Sequence, residues 1–346
     1  MEKLTHFIEE NEIPIVIIPE DRKYWLVRTQ SGEFYDEFFH DGFIGIGWNE
    51  FSDIDKFLNT EKDEMTGLIS ITYKPEDEAE KPPQPGRIYG QIHRFLFELN
   101  INDIVMIPSG NSSHISFGII ESDTYIEEVS ETGLDMGLCP FIKRRKVNWI
   151  KTVQRDKLDP YLYRMMQAHQ AISNANDYAN YIDRTLHSFY LKGDKAHFVV
   201  DVKQEKQIPA VDMITYVSTL LDIVPLIENP ENPETTFQKE DVDLKLNVQS
   251  PGMMEFISHS PYVMMILGMV VVGLVGGSFK FKNTNGKKES TNEVELQSEG
   301  IIEKVFKYIK HKDEHKLKEI KQQHTIYKDK LKAELPKELT EKLDQS

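Results

Sequence analysis

The sequence predicts an α+β protein made of a small β-barrel domain, a compact α/β module, one transmembrane helix and a charged helical tail. Three observations carry this prediction. Short runs rich in β-branched and aromatic residues recur between residues 24 and 150, helix and strand patterns alternate from 156 to 250, and the 19 residues from Pro261 to Phe279 carry no charge.

At 346 residues the chain is long enough for two domains. Its 39% hydrophobic and 28% charged content supplies apolar mass for real cores and excludes a wholly disordered protein. The single cysteine, Cys139, excludes an intramolecular disulfide. The opening MEKLTHFIEENE lacks the charged-then-apolar pattern of a secretory signal, so the bulk of the protein is expected to meet a reducing cytosol. From Lys280 onward 16 Lys face 13 acids, whereas before it 25 basic residues face 44 acids. An acidic body repels bulk nucleic acid, so any binding there requires a local site.

Residues 1–22 read as a lead and residues 23–155 as the barrel domain. Its strands are YWLVRT, FIGIGW, DIVMIP, HISFGII and KVNWI. Two helices interrupt them, near Phe51 to Asn59 and from Arg87 to Asn100, where Ile88, Ile92, Phe95, Leu96 and Leu99 recur at helical spacing. Glu76 to Gly86 is a polar, Pro-rich loop. Residues 156–250 read as helical from Tyr161 to Leu191, then as a strand from His197 to Gln204, a helix after Pro209, an acidic Pro/Asn loop and the strand DVDLKLNVQSP.

Residues 257–280 hold the expected membrane segment, since Pro261 to Phe279 just spans a hydrocarbon core of about 30 Å at helical rise. Gly268 adds a small residue to this segment, and Gly273 with Gly277 forms a GxxxG pair that lets a second helix approach closely. The expected location is therefore an inner membrane, crossed once, with the large amino-terminal region cytoplasmic. The Lys-rich flank at Lys280, Lys282, Lys287 and Lys288 also asks to be inside, which one span cannot satisfy. The alternative is a Gly-rich helix buried in a domain. In the tail, residues 283–346, apolar residues return at three- and four-residue steps: Ile302, Val305, Phe306 and Ile309, then Leu317, Ile320, Tyr327, Leu331 and Leu335. Pro336 ends or kinks this helix. Self-association through the membrane segment or the tail helix would give a homo-oligomer.

The three tryptophans, Trp25, Trp48 and Trp149, all lie beside or within strands of the first domain. Indoles at strand ends can wall a pocket that stacks a planar base, the alternative being ordinary core packing. Around them, YWLVRTQSGEFYDEFFHDGFIGIGW, GRIYGQIHRFLFELNINDIVMIPSG, HISFGIIESDTY and KRRKVNWI resemble the amino-terminal domain of Mrr-type restriction proteins, a branch of the EVE and PUA-like fold, over residues 23–155. The resemblance implies a pseudo-barrel whose aromatic pocket reads a base, often a modified one, flipped out of nucleic acid. Carried over, it makes Trp25, Trp48 and Trp149 pocket aromatics, with Ser109 and Gly110 a turn at the mouth. Phosphate contacts would come from Arg28, Arg87, His93 and Arg94 and from Lys143, Arg144, Arg145 and Lys146, the densest positive cluster in the acidic body.

A restriction protein also needs a nuclease, and the best residues for one are Asp201 and Lys203 on the strand HFVVDVKQ, with Asp194 upstream. Asp194 and Asp201 are too close in sequence for the usual pair. His311 and His315 have a metal-compatible spacing on a charged helix that produces such pairs by chance. No P-loop, nucleophile elbow or dinucleotide fingerprint occurs, so no catalytic residue, metal or cofactor is expected. These features together suggest a membrane-anchored anti-phage defence protein that senses a nucleic-acid base or nucleotide. Its rivals are a membrane-tethered, metal-dependent nuclease and a non-enzymatic scaffold whose tail recruits a partner.

Overall fold

The computed structural model describes residues 16–75, 84–227, 229, 232, 234–247, 252–275, 279–281, 294–296 and 314–334. Gly277, His311, the tail positions Ile302 to Ile309 and Leu335 with Pro336 lie outside them. The chain divides into two compact units, Asp21–Ile182 and a second made of Met1–Glu20 with Asp183–Ser346.

Strand β1 (Val16–Ile18) belongs to the second unit. In the first, β2 (Tyr24–Val27), β3 (Phe43–Ile46), β4 (Ile104–Pro108), β5 (His114–Ile120), β6 (Tyr125–Ile126), β7 (Lys143–Gln154) and β8 (Ile172–Asn174) form one sheet. Its order is β3-β7-β5-β4-β2-β8, with β6 beside β7. The sheet curls into a half-barrel because the 12-residue β7 serves two partners, β3 through Lys143–Lys146 and β5 through Val147–Gln154. A register shift between Phe117 and Gly118 bends it in between. All four residues of β2 are buried, so both faces of the sheet are covered there.

Helices α1 (Tyr35–His40), α2 (Ile54–Asn59), α3 (Lys62–Thr72), α4 (Pro85–His93), α5 (Glu131–Asp135) and α6 (Tyr161–Met165) decorate the sheet. Asp53 starts α2 by accepting the Lys56 amide at 2.9 Å, and Pro85 starts α4 where no amide hydrogen is needed. Phe38, Phe43, Ile92, Phe95, Val105 and Ile107 fill the curl with Trp25.

The expected helix from Tyr161 to Leu191 is broken. Only α6, a single 3-10 turn at Asn176–Tyr178 and α7 (Ala179–Leu186) are helical; β8 lies after α6, and β9 (Phe189–Lys192) follows α7. The stretch around Asn174, Asn176 and Asp177 favours turns over helix, and the side-chain oxygen of Asn176 accepts the Tyr24 amide at 2.8 Å, fixing β8 to the edge of β2.

The second unit has the sheet order β1-β9-β10-β12-β11, built with β10 (Lys195–Val202), β11 (Asp243–Asn247) and β12 (Gly252–Ser258). A short ladder pairs β13 (Phe279–Phe281) with β14 (Val294–Leu296), and β15 (Ala333–Glu334) joins β10. Helices α8 (Ala210–Leu221), α9 (Pro261–Val275) and α10 (Glu314–Leu331) enclose a core that includes Phe198, Val200, Tyr216, Leu220 and Phe256.

This packing overturns the membrane reading. Helix α9 has 15 residues, about 22 Å at 1.5 Å each, short of a hydrocarbon core. Val263, Met264, Ile266 and Leu267 are 0% exposed and belong to the core of the unit. A Cβ on Gly268 would stand 3.4 Å from the Phe198 ring, so this glycine packs on a strand of its own unit, not on a second membrane helix. Gly273 lies on the same helix. No helix among the described residues is long and apolar enough to cross a membrane, so the single-pass inner-membrane location expected from the sequence is not supported. The apolar stripe of the tail also has an intramolecular use, because Ile320 and Leu331 of α10 are buried in this core. The apolar run reads as a span only because its length and composition match a fully buried helix equally well.

Candidate binding cleft

The first unit carries a cleft of about 960 Å³. One side is the end of β3, with Gly45, Ile46, Gly47 and Trp48, and the Phe141 ring; the other is the loop from Met166 to Ala171. Gln84, Arg87, Ile88 and Gln91 of α4 and its cap complete it, with Arg28, Gln30 and Ser31 following β2. The lining has two Arg, His169, several amides and no carboxylate.

Three of these residues hold backbone conformations that side chains other than Gly rarely adopt: Gln30 at φ 51, Ser31 at φ 59 and Trp48 at φ 60. Such strain persists only where neighbours over-determine it, and it concentrates at functional sites. The neighbours are visible. The Lys143 ammonium, with its side chain wholly buried, donates to the Trp48 carbonyl at 2.7 Å, and burial lowers its pKa to about 8. Asn49 bridges to the Pro140 carbonyl at 2.7 Å. Gly45 and Gly47 admit the Phe141 side chain against the strand, since an added Cβ would meet its Cβ at 3.1 Å from Gly45 and its ring at 3.3 Å from Gly47. Behind the Gln30–Ser31 turn, Gly32 at φ +99 sits on Gly110, and Thr29 donates to the Pro108 carbonyl at 2.5 Å.

The loop from Met166 to Ala171 is held by polar side chains. Arg28 donates through Nε to the Ala168 carbonyl at 2.9 Å and through Nη2 to those of Met166 and Ala168, while burial lowers its pKa. Gln91, 3% exposed, accepts the Ile172 amide at 2.7 Å and donates to Gln170 Oε1 at 3.2 Å. Arg94 donates to the same oxygen at 3.0 Å. With Oε1 thus occupied, the Gln170 amide group retains its N–H donors for a ligand acceptor.

The sequence-derived site residues sort accordingly. Trp48, Arg28 and Arg87 line the cleft. Trp25 does not; it is 1% exposed in the core and donates Nε1 to Asp103 Oδ2 at 3.0 Å. Trp149 is partly buried, with Nε1 on the Phe38 carbonyl at 2.8 Å. Ser109 and Gly110 sit behind the Gln30 turn, Ser109 Oγ accepting the His114 amide at 2.9 Å. His93 pairs with Glu98 at 3.2 Å, and Arg94 works behind the floor through Gln170.

Of the expected phosphate run only Lys146 is exposed. Arg144 donates to the Phe141 carbonyl at 2.8 Å, lies 4.2 Å over the Phe43 ring and pairs with Glu127 at 3.5 Å. Arg145 donates to the carbonyls of Phe95, Leu96 and Ser122. Lys143 and Arg144 therefore position the aromatic wall of the cleft. Gln30, Ser31, Gln91, Phe141, Met166, His169 and Gln170 were not singled out from the sequence, where no periodicity or motif marks them.

In the second unit, Asp194 precedes β10 and Asp201 lies seven residues on, a separation of about 23 Å along an extended strand, too far for one cation. No group of acids, His and Cys among the described residues could hold a metal ion.

A family model described as a domain of unknown function (DUF8426) matches residues 23–176, which contain every residue lining the cleft. No curated protein and no solved structure matches the chain.

Proposed function

We propose that the first unit is a binding module for a planar nucleobase, carried by a nucleotide or a nucleic acid, and that the cleft at Trp48 is its site. One observation carries this reading: Trp48 is held in a left-handed backbone conformation, by a buried lysine, at the edge of a cleft that has cations and amides but no carboxylate. Trp48 and Phe141 supply aromatic surface for stacking, worth about 1 to 3 kcal/mol per base. The Gln170 amide supplies a donor to a base carbonyl, and Arg87 an exposed cation for a phosphate. Both the resemblance to base-reading EVE and PUA-like domains and the curled sheet support the reading. In a defence setting this binding would be the sensing step.

Gly47→Val tests it. Its methyl groups would project at the Phe141 ring and fill the cleft. Nucleobase or nucleotide affinity of the full chain is expected to fall by at least about tenfold, 1.4 kcal/mol, measured by titration calorimetry. Unchanged affinity would place the site elsewhere.

A further inference from the structure

The reading above leaves open what carries the base. Resting on it, we propose that the ligand is a free nucleotide with its phosphate at Arg87, and not a base presented by a DNA or RNA strand.

A strand needs a track of cations beyond the pocket, because its affinity comes largely from neutralising successive phosphates. The only dense basic run of the unit is spent inside it: the side chains of Lys143, Arg144 and Arg145 are buried and bonded to backbone carbonyls. Several exposed cations stand among acids in the chain, Lys56 beside Asp53 and Asp55, Lys62 between Glu61 and Asp63, and Arg155 and Lys157 on either side of Asp156. Across the unit 26 acids outnumber 17 basic residues.

Next to Phe141 in the chain, the Ile142 carbonyl accepts the Glu127 amide at 2.9 Å, and Glu128, Glu131 and Asp135 follow Glu127 in sequence as exposed side chains. Within the cleft, by contrast, the exposed Arg87 faces no lining acid, while Arg28 is bonded to the Met166 and Ala168 carbonyls. A volume of about 960 Å³ is that of a small-molecule pocket and accommodates a whole nucleotide. One phosphate is favoured here, and its neighbours in a strand are repelled.

The test uses the full chain and titration calorimetry at two salt concentrations. The probes are the common ribo- and deoxyribonucleoside 5′-monophosphates, their parent nucleosides, homopolymeric dodecamers and a duplex. At least one monophosphate is expected to bind roughly tenfold more tightly than the dodecamer of the same base. Arg87→Gln should remove about that factor for the nucleotide and weaken the nucleoside far less. Tighter binding of dodecamers, with a salt slope steepening by about 0.7 per phosphate contacted, would overturn the proposal while keeping the base site. Equal affinity for nucleoside and nucleotide, insensitive to Arg87→Gln, would overturn the phosphate assignment. If neither nucleotides, nucleosides nor strands bind, both the proposal and the base reading fail.

Discussion

Replacing Arg145 by Met separates the structural role of this residue from the phosphate contact that its sequence context suggests. The guanidinium is 1% exposed and donates to three carbonyls, those of Phe95 at 2.9 Å, Leu96 at 2.9 Å and Ser122 at 3.1 Å. Phe95 and Leu96 belong to the closing π turn of α4, Arg94–Glu98, where carbonyls lack helical partners. Arg145 supplies the missing donors, and burial lowers its pKa to about 10. Methionine fills similar volume but donates nothing, so the Leu96 and Ser122 carbonyls lose this donor and the Phe95 carbonyl keeps only the Thr124 hydroxyl at 3.3 Å. Each buried carbonyl left without a donor costs about 1 to 3 kcal/mol, so losing this cluster of donors is expected to cost about 3 to 5 kcal/mol. All three tryptophans lie in this unit, so fluorescence follows its unfolding without interference from the other. With a urea slope near 2 kcal/mol/M, the midpoint is expected to fall by about 2 M at unchanged slope. Lys146→Met, at the exposed neighbouring position, should stay within about 0.5 kcal/mol of wild type. The reasoning is refuted if Arg145→Met unfolds like wild type but binds polyanions with a weaker salt dependence.

Lys143→Met should alter how stability depends on pH. Because burial lowers the folded-state pKa from 10.5 to about 8, the unfolded chain binds more protons between these values, and wild-type stability should rise with pH from about 8 to 10. The variant should lack that rise, about 3 kcal/mol at full extent, in fluorescence-monitored urea titrations; parallel curves would contradict the assignment. In the second unit, His324 on α10 is 0% exposed with no hydrogen-bond partner at either ring nitrogen, 5.2 Å from the Tyr216 ring. Desolvation lowers its pKa from 6.5 to about 4, so the unfolded chain takes up the proton first and stability should be lost as pH falls through that window. His324→Leu should abolish that loss in calorimetric scans of the unit's transition, and a variant equally acid-sensitive would refute the cause given.

Four strands were legible because alternation and β-branched content report a half-buried pleat directly: YWLVRT, FIGIGW, DIVMIP and HISFGII contain β2 to β5, the first two running two residues past the strand and the third starting one residue before it. The burial of the start of β7 was not, because Lys143, Arg144 and Arg145 look like surface residues and the carbonyls that hold Lys143 and Arg145 are distant in sequence. The G-x-G-W strand end was visible as a motif, while the side chain that the two glycines admit, Phe141, comes from a different segment. The loop from Met166 to Ala171 was invisible for the same reason. Its place is set by Gln91 and Arg28, and neither bond has a local signature. The apolar run of α9 misled because hydropathy records that a helix avoids water, not whether lipid or protein replaces the water.

Trp48→Gly in the full chain, with affinity for the best-binding nucleotide measured beside the fluorescence-monitored unfolding midpoint, tests the cleft most directly. At φ 60 glycine relieves backbone strain while removing the indole, so folding is spared more than by truncating a core aromatic such as Trp25, expected to cost about 3 to 5 kcal/mol. Trp48→Gly should retain a cooperative transition near the wild-type midpoint and lose about 1 to 3 kcal/mol of binding, roughly five- to 150-fold. Wild-type affinity in a folded Trp48→Gly protein would contradict a base stacked at this cleft.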